Sequence, residues 1–298
     1  MPSNDARPIC DYEGSDYRTA FWEGQGREYE DTVERTLLRR WLPQSGRRLI
    51  DIGAGFGRLA DLYDGYEQVV LFDYSFSQIA YARQRLGDER FIYVAGDLYR
   101  MPLASHAVDC AVMVRVLHHI ADVPAALTQV ARIMRPHGRY LLEFANKRHL
   151  KNLLRHATGR GPDPRDRQPF EFADVHYDFH PTWVQERLSE AGFELDRKRS
   201  LSILRLGALK RRIPAGTLAS LDRALQPLTT PLDLGPSVFT QSTSTKTGEP
   251  PWVETAALFS CPDCRHEPLT ADAQGDLHCS RCGAHWPRRD GVFLFKEP

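Results

Sequence analysis

Apolar residues recur at two different periods along the chain, and the switch between the periods outlines the fold. Residues 28 to 42 place Val33, Leu37, Leu38, Trp41 and Leu42 on one helical face, and Pro43 with Gly46 ends the pattern. An amphipathic helix is therefore predicted ahead of the first strand. The run RRLIDIGAG then reads as a short buried strand entering a glycine turn. Helix (RLADLYD), strand (QVVLFD), helix (SQIAYARQRL) and strand (RFIYVAG) follow, giving a β-α-β-α-β order. The alternation continues with a strand over 108–114, a helix over 122–134 closed by Pro136 and Gly138, and a strand over 139–144. Strands joined by helices of this length predict an α/β chain with a doubly wound, mostly parallel sheet, because each right-handed crossover needs a covering helix.

Beyond residue 157 the pattern loosens. The stretch 158–169 (TGRGPDPRDRQP) reads as a surface loop, followed by a helix (PTWVQERLSEAGF). Between about 203 and 235, apolar positions at helical spacing are interrupted by Pro214, Pro227 and Pro231, which predicts a short helical insertion. GPSVFTQSTSTK resembles a last strand and KTGEPPW a linker, so the chain divides into a first unit over 1–248 and a cysteine-bearing module over 256–298. A length of 298 residues suits one large core with an appendage. With 42% hydrophobic and 26% charged residues, and 39 bases against 39 acids, neither disorder nor a nucleic-acid partner is implied by composition. MPSNDARPICDYEGSDYR lacks the apolar centre of a secretory signal, and no segment reaches the roughly 20 apolar residues of a membrane helix, so a cytoplasmic location is expected.

Candidate chemistry gathers at the strand ends. Asp51-Ile52-Gly53-Ala54-Gly55-Phe56-Gly57 lies where the first strand meets the following turn, and glycines there bring backbone N–H groups close to a ligand. Its D-x-G-x-G-x-G spacing differs from the G-x-G-x-x-G of dinucleotide sites, and no G-K-[S/T] follows. An acid opening the turn suits a cationic ligand better than a pyrophosphate. The second strand ends at Asp73, placed to accept from ribose hydroxyls, and the third at Asp97-Leu98, placed to meet an adenine amine and ring face. DIGAGFG, LFDYS, AGDLYRMPL and VMVRVLHHIAD together resemble the class I S-adenosylmethionine-dependent methyltransferases, in the branch that includes small-molecule and quinone enzymes, over roughly residues 20 to 200. The resemblance implies a seven-stranded, Rossmann-like sheet with S-adenosylmethionine as cofactor. It sets Asp51, Gly53, Gly55 and Gly57 against the methionine part, Asp73 on the ribose, and Asp97 with Leu98 on the adenine. Arg115 falls where that family lines the methyl-transfer pocket. Trp22, Arg27 and Tyr29 fall where related enzymes bring an N-terminal helix over the cofactor carboxylate, although core packing explains them equally well.

What the methyl group meets is less defined. His118 or His119 could take a proton from an acceptor, or simply cap and pack the next helix. His176, Tyr177 and His180 precede a helix that in the family often roofs the acceptor pocket, which makes them candidate substrate contacts. The segment 197–212 holds seven Lys or Arg and no acid after Asp196, so it reads either as a solvated lid or as a surface for lipid headgroups or RNA phosphate. Cys261, Cys264, Cys279 and Cys282 form two Cys-x-x-Cys knuckles 14 residues apart (265 to 278), a spacing that suits one structural, four-thiolate zinc per chain. CPDCRHEPL with LHCSRCGAHWPRRDGVFLF resembles the zinc-ribbon activator subunit of tRNA, rRNA and protein methyltransferases, which implies a ribbon packed on the methyltransferase domain of its own chain. The leading expectation is methyl transfer to an oxygen or carbon of a small or lipid-like acceptor, with peripheral membrane contact left open. An RNA- or protein-directed enzyme that uses the ribbon and segment 197–212, and a cofactor-binding scaffold without turnover, remain as alternatives.

Overall fold

The computed structural model of the chain describes residues 7–16, 18–87 and 89–296. Residues 1–6 and Tyr17, part of the stretch read as lacking a secretory signal, lie outside them. Most of the main sheet is formed by β1 (Gly46–Ile52), β2 (Tyr66–Asp73), β3 (Phe91–Gly96), β4 (Val108–Met113), β5 (Met134–Ala145), β8 (Phe193–Leu201) and β9 (Ser237–Ser244). Between β5 and β8, the short strands β6 (Phe170–Ala173) and β7 (His176–Asp178) pair as a separate hairpin. The helices are α1 (Glu28–Trp41), α2 (Phe76–Leu86), α3 (Val123–Ile133), α4 (Leu150–Ala157), α5 (Pro181–Glu190), α6 (Gly207–Lys210) and α7 (Ala215–Thr229). C-terminal to these lie β10 (Thr270–Ala271), β11 (Leu277–His278), β12 (His285–Trp286), β13 (Arg288–Arg289) and β14 (Val292–Phe295). None of the described helices is long and apolar enough to cross a membrane.

The sheet runs β13-β14-β3-β2-β1-β4-β5-β9-β8. From β14 to β5 every pair is parallel, whereas β9 runs antiparallel to both its neighbours. Strand order reverses beside β1, so β1 and β4 send their chains to opposite sides and leave a crevice at their C-terminal ends. The central strands are buried on both faces, which is why they read as continuous apolar runs. Helix α1 buries Val33, Leu37, Leu38 and Trp41 as its spacing predicts. Ser75 and Asp122 accept from the first-turn amides of α2 and α3, and Pro124 fits the first turn of α3, where its missing N–H costs nothing.

Two elements depart from expectation. RLADLYD forms only a 3-10 turn at Ala60–Leu62, because Gly57 takes a φ of 74° and β2 already begins at Tyr66, leaving no length for a helix. The helix expected to close at Pro136 and Gly138 instead ends at Ile133 with Met134 as its cap, and Pro136 and Gly138 lie inside β5, which starts at Met134. The register there slips between Val108 and Cys110, whose partners are Met134 and Arg139, and the bulge absorbs the proline that cannot donate to the ladder.

The cysteine module is joined to the main sheet. Its last strand, β14, adds parallel to β3 with Phe295 opposite Gly96, and the Phe259 ring centre lies 4.5 Å from that of Phe293 and 5.2 Å from that of Phe295, both pairs tilted. Ala104 N donates to Leu258 O, and Ser260 N to Pro102 O. The expected packing of the ribbon on its own chain is thus a shared sheet and a shared core. Phe295→Ala, at a buried side chain, is expected to lower unfolding free energy by about 3 kcal/mol. A urea titration followed by circular dichroism should register that loss across the main sheet; an unchanged midpoint would mean that the ribbon strand contributes nothing to it.

Candidate functional site

The site grows from the crevice beside β1. Gly53, Gly55 and Gly57 all have positive φ, which lets the chain leave β1 in a tight turn held by Gly53 N and Ala54 N donating to Phe72 O. A Cβ on Gly53 would lie 2.1 Å from Val116, so only glycine fits there, whereas a Cβ on Gly55 would meet nothing within 4 Å. The backbone at Gly55 is therefore bare toward a cleft lined by Gly53, Asp73, Asp97, Leu98 and Ile120.

Each acid at this crevice has a distinct environment. Asp73 accepts from Gly55 N (2.8 Å) and Ser75 N (2.9 Å); burial raises its pKa and these amides oppose the rise. Asp97 accepts from Tyr99 N at 2.8 Å, and burial likewise raises its pKa. Asp51 sits behind the turn, bonded to Tyr63 Oη at 2.9 Å, and burial pushes it up to about 7. It lines a second, smaller cavity with Trp22, Arg58 and Arg115, which shares Gly53, Gly55 and Arg115 with the first.

A buried ion cluster holds this second cavity. Burial pushes the Glu34 carboxyl up, but Arg115 and Arg58 more than reverse it and hold the pKa below the usual carboxylate range. Glu34 bonds Arg58 at 3.0 Å and Arg115 directly, and both guanidiniums lie over the Trp22 ring, at 4.0 and 4.9 Å. Arg115 has a φ of 62°, an uncommon conformation for a non-glycine, and its N–H donates to Glu143 at 2.8 Å.

On the other side of Arg115 three histidines meet. The His118 ring lies 4.0 Å from His119, and His119 lies 4.6 Å from His176. Burial, with neighbouring positive groups, holds His118 well below its usual pKa, and burial lowers His119 to about 4. Both are neutral near pH 7. His119 Nδ1 is 3.2 Å from Val175 O, so it must carry the proton, and Nε2 accepts from Tyr12 Oη at 3.2 Å. These histidines line a second cleft that meets the first at Tyr12, Arg115 and His119.

Other expected residues lie elsewhere. Tyr29 is buried between α1 and α7, where its hydroxyl donates to Asp222 (2.7 Å) and accepts from Leu204 N (3.1 Å); it lines neither cavity at the turn. His180 caps α5, accepting from Thr182 N, and Tyr177 packs against Phe179. Gly57 packs near Leu86, away from the cleft. The basic segment 197–212 does not form one patch: Arg197 lies over Trp41, Lys198 pairs with Asp233, Lys210 with Glu30, and Arg205 lines the second cleft. Arg58 and Glu34 were missed, although an acid on the apolar stripe of α1 was a legible signal.

In the C-terminal module the Cys261 and Cys282 sulfurs are 3.7 Å apart, those of Cys264 and Cys279 3.4 Å, and all four lie within 4.8 Å of one another. Four thiolates about 2.3 Å from a tetrahedral zinc are spaced by about 3.8 Å, so the donor set fits such an ion. Arg265 and Gly283, which follow the second cysteine of each knuckle, have positive φ and turn both knuckles back on the sulfurs.

Residues 50–142 match the family described as "Methyltransferase domain". Over that stretch the chain is similar to methyltransferases. It is 35% identical over 102 residues to a demethylmenaquinone methyltransferase from Beutenbergia cavernae, over 34% of this chain and 42% of that protein. The chain spans only 30 to 43% of the first three curated relatives it matches. In fold it is similar to a chain from the complex containing the Haloferax volcanii Trm112 methyltransferase activator (TM-score 0.54, 18% identity, 78% of this chain and 98% of that one). It also resembles an S-adenosylmethionine dependent methyltransferase from Mesorhizobium loti (TM-score 0.52, 18% identity, 72% of this chain and 99% of that one). β13 and β14 bring the main sheet to nine strands among the described residues.

Asp51 also sets a pH dependence. Its pKa is about 7 in the fold and about 4 when unfolded, so between those values the folded chain holds a proton that the unfolded chain has released. Stability therefore falls as pH rises from about 4 to about 7 and levels above. Asp51→Asn is expected to flatten that limb in thermal melts taken across pH; an unaltered slope would show that Asp51 ionises normally.

Proposed function

We propose that this chain is an S-adenosylmethionine-dependent methyltransferase acting on an oxygen or carbon of a small or lipid-like acceptor. The observation that carries this reading is the pair of cavities joined at Gly53 and Gly55, with Asp73 and Asp97 at one end and Asp51, Arg58, Arg115 and Trp22 at the other. Such a site is acidic toward a ribose and an amine, and cationic toward a carboxylate. Asp73 would accept from the ribose hydroxyls, Asp97 from the adenine amine, and Leu98 would cover the ring. Arg58 and Arg115 would hold the carboxylate, and Asp51 would favour the cationic centre. When bound, the cofactor supplies a methyl group on a positively charged sulfur, which needs a well-placed acceptor more than a strong catalyst.

The acceptor would then lie in the second cleft, beside His118, His119 and His176. Neutral His119, with its proton fixed on Nδ1, offers Nε2 to an acceptor hydroxyl that replaces Tyr12. Arg115 positions both halves, since its side chain faces the cofactor cavity and its backbone is tied to Glu143 below the acceptor cleft.

The ribbon reads as a built-in stabiliser of the adenine end. Arg265 donates to Met101 O, and Arg100 pairs with Asp263, so the first knuckle grips the turn that follows Asp97. A zinc on the four cysteines would hold that grip. The activator present in the Haloferax volcanii complex supports the same reading.

Titration of the full chain with S-adenosylhomocysteine is expected to show saturable binding that Asp73→Ala weakens about 100-fold, the loss of two charge-assisted hydrogen bonds. Absence of binding to the unaltered chain would refute the cofactor assignment. Metal analysis should find one zinc per chain; Cys264→Ser should lower that content and weaken S-adenosylhomocysteine several-fold, whereas unchanged affinity in a zinc-free chain would remove the stabilising role.

A further inference from the structure

Arg205 lies in the connection between β8 and α6 and lines the second cleft. Its Nε and Nη2 are hidden from solvent and have no hydrogen-bond partner among the described residues; Nε has only a long ion pair, 3.9 Å, to Glu30. These two donors form one edge of the guanidinium, the fork that meets both oxygens of a carboxylate or phosphate. A buried, charged donor pair without partners is costly unless something completes it. The acids nearest Arg205 are already engaged. Glu30 accepts from Lys210 with both oxygens, at 2.8 and 2.9 Å. Glu34 holds Arg58 and Arg115, and Glu143 accepts from Ser237 and from the Arg115 N–H.

The rest of the cleft has the same sign. Arg27, Arg115, Lys151, Arg155 and Arg205 line it against Glu143 and Asp178, five cations to two acids. Burial and the positive charges of Arg205, Lys151 and Arg155 lower His149 to about 4, so it adds no charge. Phe21, Phe170 and Phe172 also line the cleft, the last two 36% and 55% exposed, which provides a surface for an apolar or aromatic body.

We infer that the acceptor is an amphipathic oxyanion, an apolar or aromatic body bearing a carboxylate or phosphate group that docks on the Nε and Nη2 edge of Arg205. The inference rests on the assignment of this cleft to the acceptor. The histidine cluster and the junction with the cofactor cavity then face the part of the acceptor remote from its charged group, so Arg205 sets specificity and orientation.

The test is calorimetry on the full chain, with and without saturating S-adenosylhomocysteine, using cinnamate, phenyl phosphate and neutral cinnamamide as probes. One or both anions should bind saturably while cinnamamide does not, and the stronger of the two identifies the headgroup. Arg205→Gln should weaken the bound anion about tenfold or more, and Arg205→Lys, which keeps the charge but not the fork, should recover part of it. S-adenosylhomocysteine affinity in each variant reports whether the fold is intact. Equal binding of cinnamamide, equal anion binding to Arg205→Gln, or no saturable binding of either anion to the unaltered chain would overturn the inference. Failure of S-adenosylhomocysteine to bind the unaltered chain is a separate result: it refutes the methyltransferase reading, while the anion titration without cofactor still decides the Arg205 site.

Discussion

The reversal of strand order beside β1 is the constraint on which the rest depends. Parallel strands need covering crossovers, and where successive crossovers leave for opposite faces no helix can close the C-terminal ends of the strands between them. The crevice is thus a consequence of topology, and the glycine turn after Asp51 keeps it open. Because β2 pairs in register with β1, and β3 in turn with β2, Asp73 and Asp97 arrive at the same edge as the turn. Three acids at three strand ends would repel in a dry core. Backbone amides, Tyr63 and the raised pKa of Asp51 keep that repulsion small.

Charge is handled differently on the far side of the turn. Glu34 stands fully buried on α1, held by two arginines, and those arginines in turn lie over Trp22. Breaking such a cluster by removing one member strands a charge in the core, whereas the intact set ties α1 to the loop after β4. Arg115 is the joint: one residue in a strained conformation touches both cavities. The ribbon contributes at the opposite edge, where β14 lies beside the strand that presents Asp97.

Much of this was legible in the sequence because the relevant signals are local. Apolar runs marked the parallel strands, D-x-G-x-G-x-G marked the turn, and two Cys-x-x-Cys pairs marked the knuckles. What escaped depended on distance along the chain. Tyr29 has the spacing of a core residue and the chemistry of a ligand contact, and only its bond to Asp222, 193 positions away, decides its place. His180 reads as a candidate contact until its ring is seen to cap α5. VFLF at 292–295 has the composition of a buried strand, but its cysteine-rich surroundings concealed that it completes the main sheet. Within the basic segment, no local feature separates Arg205 from the arginines that stay at the surface.

The crevice beside β1 is proposed to hold S-adenosylmethionine with its adenosine toward Asp73 and Asp97. A crystal structure of the full chain with S-adenosylhomocysteine tests it most directly. Ribose hydroxyls are expected within hydrogen-bond reach of Asp73, the adenine amine at Asp97 with Leu98 on the ring, and the carboxylate beside Arg58 and Arg115. Ligand bound at another place, or bound in the crevice with its ends reversed, would contradict it.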